Sequence, residues 1–290
     1  MSMGIYMSIA RNTLIRAIFG AKSSIISLTV ILGVSIIAGL ASLIAPHDPR
    51  DASFSPFQPP SWRHPFGTDD LGRDLLSRVI YGARTSLIIG FSAALIAIVI
   101  GVLIGIASGY IGGYIDDIAM RITETFQVIP RLVLAVVAAS FLGPSIFNMI
   151  LIIGGLSWPR TARVVRSMVL TLRELPYVEA VRALGASNKR IMFKHILPSV
   201  LPIAVIMTGY EAAVAILVEA GLGFLGLSDP ELESWGKIIH DGQRYFLWGW
   251  WIAMIPGSIL SILIIAINIL ADNINNAINP KTAGLDSKRI

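Results

Sequence analysis

Charge-free hydrophobic runs recur along the chain at 23–46, 85–115, 132–159, 196–210 and 247–271. Several exceed the roughly 20 residues that an α-helix needs to cross about 30 Å of hydrocarbon, and they do not alternate as barrel strands do. The first run follows Arg11, Arg16 and Lys22 and resembles a signal peptide. It is longer than a typical hydrophobic signal core and lacks a clear small-x-small cleavage site before Pro46, so it reads as an uncleaved span. Leu87 to Ala107 is a clean second span, and the last run carries Pro256-Gly257, where a kink is expected. Gly143-Pro144 splits the 132–159 run into two stretches, either two spans or a re-entrant hairpin. The fifth span covers 199–221 and contains Glu211. The pattern predicts an all-α integral membrane protein with about six spans, or four spans and a hairpin.

Composition agrees with this pattern. Charged residues make up 14% of the chain, hydrophobic residues 54%, and mean hydropathy is +0.73. A soluble domain carries roughly 25% charged residues. With both termini on one side, the segments sharing that side hold 16 Lys and Arg and the opposite segments hold 7. The positive-inside rule then places both termini and the 160–198 loop in the cytoplasm. Net charge is +5, which basic loops beside anionic lipid explain without nucleic acid. Cysteine is absent, which excludes disulfides, thiolate metal sites and cysteine nucleophiles.

These readings divide the chain into a cytoplasmic N-terminal segment (1–22), a first transmembrane helix (23–46) and an extracytoplasmic segment with an amphipathic helix (47–84). A core transmembrane domain (85–271) contains the loop 160–198, and a cytoplasmic tail (272–290) follows.

Within the loop, Pro176 is followed by Val178, Val181 and Leu184 at helical spacing, then by Gly185, and Ser187 is placed to cap a second short helix. In that helix Met192, Phe193, Ile196 and Leu197 share one face, away from Lys189, Arg190 and Lys194. By periodicity alone the segment could lie on the lipid surface or against a partner. His195 reads as a helix-face side chain with a local hydrogen bond.

Outside the membrane, Thr68 is placed to cap a helix with Asp69 and Asp70 in its first turn and Arg78 and Arg84 further on. Leu71, Leu75, Leu76, Val79 and Ile80 form its apolar side, as expected of an interfacial brace. Glu211 and Glu219 fall within an apolar run. A carboxylate at mid-bilayer depth costs about 2.5–3.5 kcal/mol on insertion scales, so Glu211 is expected to face protein or a water-filled path.

The segment EAVRALGASNKRIMFKHILP, 179–198, resembles the EAA loop of permease subunits of binding-protein-dependent ABC importers. Glu179, Ala180, Gly185, Leu197 and Pro198 match, Val181 replaces the second alanine, and His195 stands at an isoleucine position. HPFGTDDLGRDLLSRVIYGARTSL (64–87) and ILVEAGLGFLGLS (216–228), followed by Trp235-Gly236, resemble the second, C-type permease of dipeptide, oligopeptide and nickel importers. The tail ADNINNAINP departs from that family's usual charged ending.

The resemblance implies a MetI-like type I importer fold in a prokaryotic inner membrane. It also implies a second homologous permease, two ABC ATPases that bind ATP and Mg, and an extracytoplasmic solute-binding protein. Glu179, Ala180, Gly185, Ala186, Ser187 and Asn188 become the ATPase-coupling residues. Glu211 becomes a translocation-path candidate, and Asp69, Asp70, Arg73 and Glu219 candidates for the external gate or binding-protein contact.

The implied cargo is di- or oligopeptides, with oligosaccharides or nickel complexes as alternatives. An ion-coupled secondary transporter using Glu211 would instead show inverted repeats, which the sequence lacks. No catalytic constellation and no phosphate-binding loop occur; FGAKSS at 19–24 has Ala21 where that loop requires glycine. The chain is therefore expected to bind no cofactor and to be a transport subunit without catalysis of its own.

Overall fold

A computed structural model describes residues 21–278. The expected N-terminal segment and most of the expected tail lie outside the described residues. The elements are α1 (Lys22–Gly39), α2 (Ala41–Ile44), α3 (Leu75–Ile111), α4 (Gly113–Val128), α5 (Arg131–Leu142) and α6 (Ile146–Leu172). They continue with α7 (Pro176–Ala183), α8 (Asn188–Ile191), a π-helical turn (Met192–Ile196), α9 (Leu197–Phe224), α10 (Trp235–Gln243) and α11 (Trp250–Ile278). No strand is formed among the described residues.

Among the described residues, four helical stretches are long and apolar enough to cross a membrane: α1, α3, the continuous run Asn188–Phe224, and α11. The pair α4 and α5, bent by 88°, makes a fifth if it is one broken span. α6 does not qualify on apolarity, because Arg160, Arg163 and Arg166 occupy its second half. Around the ambiguous run, Gly143 at φ +80° ends α5, and Ser145 opens α6. Pro256 sits inside α11 without breaking it.

The described residues divide into two compact units, one drawing on 21–88 and 223–278, the other on Ile89–Leu222. In the first unit α11 packs against both α1 and α10. Asn273 donates to the hydroxyls of Ser23 and Ser24, fastening α11 to the start of α1. Trp235 is fully buried and donates its indole N–H to the Val79 carbonyl over 3.0 Å.

In the second unit the close approach of α3 and α6 follows from a stripe of small residues. Gly101, Gly105 and Gly109 recur every four positions. A Cβ on Gly101 would lie 2.6 Å from the Thr161 Cβ, and one on Gly105 would lie 2.7 Å from the Ala162 carbonyl oxygen. Small residues at this spacing let helix backbones meet where lipid supplies no hydrophobic drive.

The external segment corrects the sequence reading. α3 begins at Leu75, and Thr68 caps nothing: its hydroxyl donates to the Ser55 carbonyl and accepts from Gln58 N. Residues 54–58 pair antiparallel with 68–72 through Phe54 N to Gly72 O, Phe57 N to Asp69 O and Thr68 N to Gln58 O. The cap belongs to Asp74, whose carboxylate accepts from the Ser77 backbone N–H at 2.9 Å and the Ser77 hydroxyl at 2.7 Å. The brace helix and the second span expected separately are one 37-residue helix.

Candidate functional site

The 176–198 loop forms the expected two-helix corner. Leu175 and Pro176 start α7, Gly185 turns the chain at φ +81°, and the Ser187 hydroxyl accepts from Arg190 N to cap α8. Among the described residues nothing lies within 4 Å of a Cβ built on Gly185, so its left-handed backbone is what calls for glycine. Leu184, expected on the apolar face, is 86% exposed at the tip. Glu179, Ala180, Ser187, Asn188, Lys189 and Arg190 are exposed with it, and Ala186 is half-buried.

The tip stands on a fixed base. Val178, Ile191 and Ile196 are fully buried in one core with Ile106, Tyr110, Val165, Val169 and Val200. Tyr110 donates its hydroxyl to Asn188 Oδ1 at 3.2 Å, and the Arg182 guanidinium lies over the same ring, 5.8 Å from its centroid. Arg173 donates to the Gly109 carbonyl at 3.0 Å.

The sequence periodicity missed the π-turn. The Leu197 N–H bonds to the Met192 carbonyl five residues back. Pro198 has no N–H to offer the Lys194 carbonyl, so an α-type ladder cannot continue through it. The wider turn spaces the buried side chains five apart, as Ile191 and Ile196, and leaves Phe193 exposed.

Glu211 is fully buried on α9 and is paired with Arg131 at 3.3 Å. Arg160 lies over the ring of neighbouring Tyr210 at 5.6 Å. Glu219, about two turns further along α9, is also buried.

Three of the four residues assigned to an external contact, Asp69, Asp70 and Arg73, take part in an ion-pair network within the first unit. The Asp69 carboxylate is buried and receives Arg73 Nε and Arg78 Nη1, each at 2.6 Å. Arg78 is itself fully buried and also reaches Glu233 at 2.8 Å and Asp241 at 2.7 Å. The Asp69 oxygens are enclosed by these arginines and the backbone N–H groups of Leu71 and Arg73. Asp70 stays partly exposed and 3.9 Å from Arg73. Its pKa is raised by burial and by the neighbouring Asp69 and Asp241 charges, against the opposing pull of Arg73. Arg78 entered the sequence reading only as a dipole-matched charge late in a helix, and its remote partners Glu233 and Asp241 were not singled out; only their charge in an apolar chain pointed to them.

Residues 97–284 match the family described as the binding-protein-dependent transport system inner membrane component. The chain belongs to that family. The permease is 38% identical to a Brucella suis permease protein named for peptide transport, over 92% of this chain and 90% of that one. It is 35% identical to the di/tripeptide transport system permease protein DppC of Pseudomonas aeruginosa, over 90% and 88% of the two chains. For the dipeptide transport system permease protein DppC of Alkalihalophilus pseudofirmus the identity is 36%, over 90% and 86%. Among solved structures, a chain of the MetNI methionine ABC transporter in an inward-facing form aligns at TM-score 0.57 and 23% identity, over 71% of the permease and 98% of that chain. That likeness establishes the MetI-like fold, and the permease is a multi-pass membrane protein.

Proposed function

We propose that the permease imports di- or oligopeptides handed over by an extracytoplasmic binding protein, working beside a second homologous permease and two ATPases. The peptide cargo is supported by the names of the relatives above. The ATP-driven mechanism is supported by one observation: an exposed corner at Leu184–Asn188 mounted on the fully buried Val178, Ile191 and Ile196. A projection that transmits force must not bend at its root, and packed cores resist bending because they have discrete arrangements.

ATP binding closes the ATPase pair, and the corners of the two permeases move with it. The permeases then pass between outward and inward access by population shift. The chain itself carries no catalysis; ATP and Mg belong to the partners. The distribution of Lys and Arg supports cytoplasmic termini and a cytoplasmic corner in the inner membrane. An ion-coupled mechanism would need Glu211 free to load an ion, whereas Arg131 lies 3.3 Å from its carboxylate.

The test is ATP-dependent peptide uptake by proteoliposomes of the assembled transporter. Gly185→Val should remove most uptake, since a β-branched residue at φ +81° is strained by about 1–2 kcal/mol and the added bulk faces the partner. Gly185→Asn, which tolerates that backbone, should retain more. Equal uptake by both variants and the native chain would end the proposal.

A further inference from the structure

Asp74 caps α3 with one carboxylate oxygen, and its other oxygen does something a cap does not require. Oδ2 takes both bonds from Ser77, while Oδ1 lies 2.9 Å from His64 Nδ1. Both side chains are 1% exposed. His47, from the loop after α2, approaches the same point: its ring lies 5.7 Å from that of His64, and its backbone N–H donates to the Ser77 hydroxyl at 3.1 Å. One ligand atom from each of His47, His64 and Asp74 falls within 4.8 Å of the others. Phe54 packs against both imidazoles, at 4.8 Å and 4.6 Å between centroids, and shields that side.

We propose that His47, His64 and Asp74 form a site for a divalent transition-metal ion, Zn(II), drawn from the surrounding solution. Two imidazoles and a carboxylate suit Zn(II), with water in the fourth position, whereas Ca(II) and Mg(II) prefer oxygen throughout. Tetrahedral bonds of about 2.0 Å put ligand atoms roughly 3.3 Å apart. The His64–Asp74 separation of 2.9 Å is within a few tenths of that, and partly exposed His47 has to close the remainder.

The protons balance. A neutral His64 moves its ring proton from Nδ1 to Nε2, and the ion takes the place the proton held between Nδ1 and Oδ1. The Ser77 hydroxyl and backbone N–H fix the carboxylate from behind, as outer-shell groups do at metal sites. The bound ion would pin the loop at 47 and the segment at 64 to the first turn of α3, closing the non-helical stretch between α2 and α3.

This inference does not rest on the cargo or on the ATPase, so its test is binding and not transport. The full-length chain in lipid nanodiscs, stripped with chelator, is titrated with Zn(II) against a chromophoric chelator, and with Co(II) to read ligand-field absorption. The expected result is one ion per chain and a tetrahedral Co(II) spectrum. His47→Phe, which keeps a ring against Phe54, should weaken binding by at least about 10-fold to 100-fold, and Ser77→Ala by roughly 10-fold. The double variant His195→Gln, His240→Gln should bind as the native chain does, which separates this site from the other two of the four histidines. Absence of saturable binding, or unchanged affinity in His47→Phe with its thermal melt intact, would overturn the assignment.

Discussion

Tyr110, in the last turn of α3, holds Asn188, the first residue of α8, through a 3.2 Å hydrogen bond from its hydroxyl. The exposed corner is thereby tied to the helix core by a side chain that also carries Arg182 on its ring. Tyr110→Phe removes the hydroxyl and keeps the ring. Loss of one such bond costs about 0.5–1.5 kcal/mol, so the chain should fold with a slightly lower melting temperature. Peptide uptake should fall further than ATP hydrolysis, because a loosened corner still docks but transmits less motion. Unchanged uptake per ATP would show that the bond is incidental.

The glycine stripe of α3 permits a comparison of two glycines. Gly105→Leu forces a side chain toward the Ala162 carbonyl and Val165, whereas a Cβ on Gly155 meets nothing within 4 Å. Overpacking costs typically 1–3 kcal/mol, more where backbone cannot move. Gly105→Leu should accumulate poorly in the membrane and Gly155→Ala normally; quantitative immunoblotting of membrane fractions separates them.

Arg78→Met leaves Asp69, Glu233 and Asp241 without their shared cation. Breaking a buried pair by removing one partner costs about 3–5 kcal/mol. Thermal unfolding in nanodiscs should show a marked drop. A variant melting within a degree or two of the native chain would mean that the three carboxylates are satisfied without Arg78.

Asp70 offers a pH dependence. Its folded pKa is raised above the ordinary 3.8, so the folded chain holds this proton more tightly than the unfolded chain. The stability linked to it is complete below about pH 4 and is lost as pH rises through the folded value. Asp70→Asn removes the surplus negative charge beside Asp69 and Asp241. It should therefore be at least as stable as the native chain at neutral pH and lose that advantage as the medium is acidified. A variant less stable at neutral pH would show the anion to be favoured.

Much of the architecture was legible because hydrophobic run length and turn residues are local signals. Gly185 and Ser187 mark the corner in sequence, and the structure places the turn and the cap on them. The start of α3 was misread because Thr68 and Asp74 are both plausible caps; pairing between 54–58 and 68–72, which no local pattern encodes, decided for Asp74. Arg131 meets Glu211, and Arg78 meets Glu233, across long sequence separations that periodicity does not reach. The Gly101, Gly105 and Gly109 repeat was present in the sequence but acquires meaning only with Thr161 and Ala162 opposite it.

The surplus residue in the Met192–Ile196 turn has a consequence for how the corner joins the membrane helix that follows. A helical rod gains or loses about 1.5 Å for each residue wound in or out. At a joint that holds one residue more than an α-turn, with Pro198 preventing the ordinary ladder from closing, the extra residue lets Ile191 and Ile196 face the same core. The insertion resets the angular phase between corner and membrane rod and keeps the two keyed together.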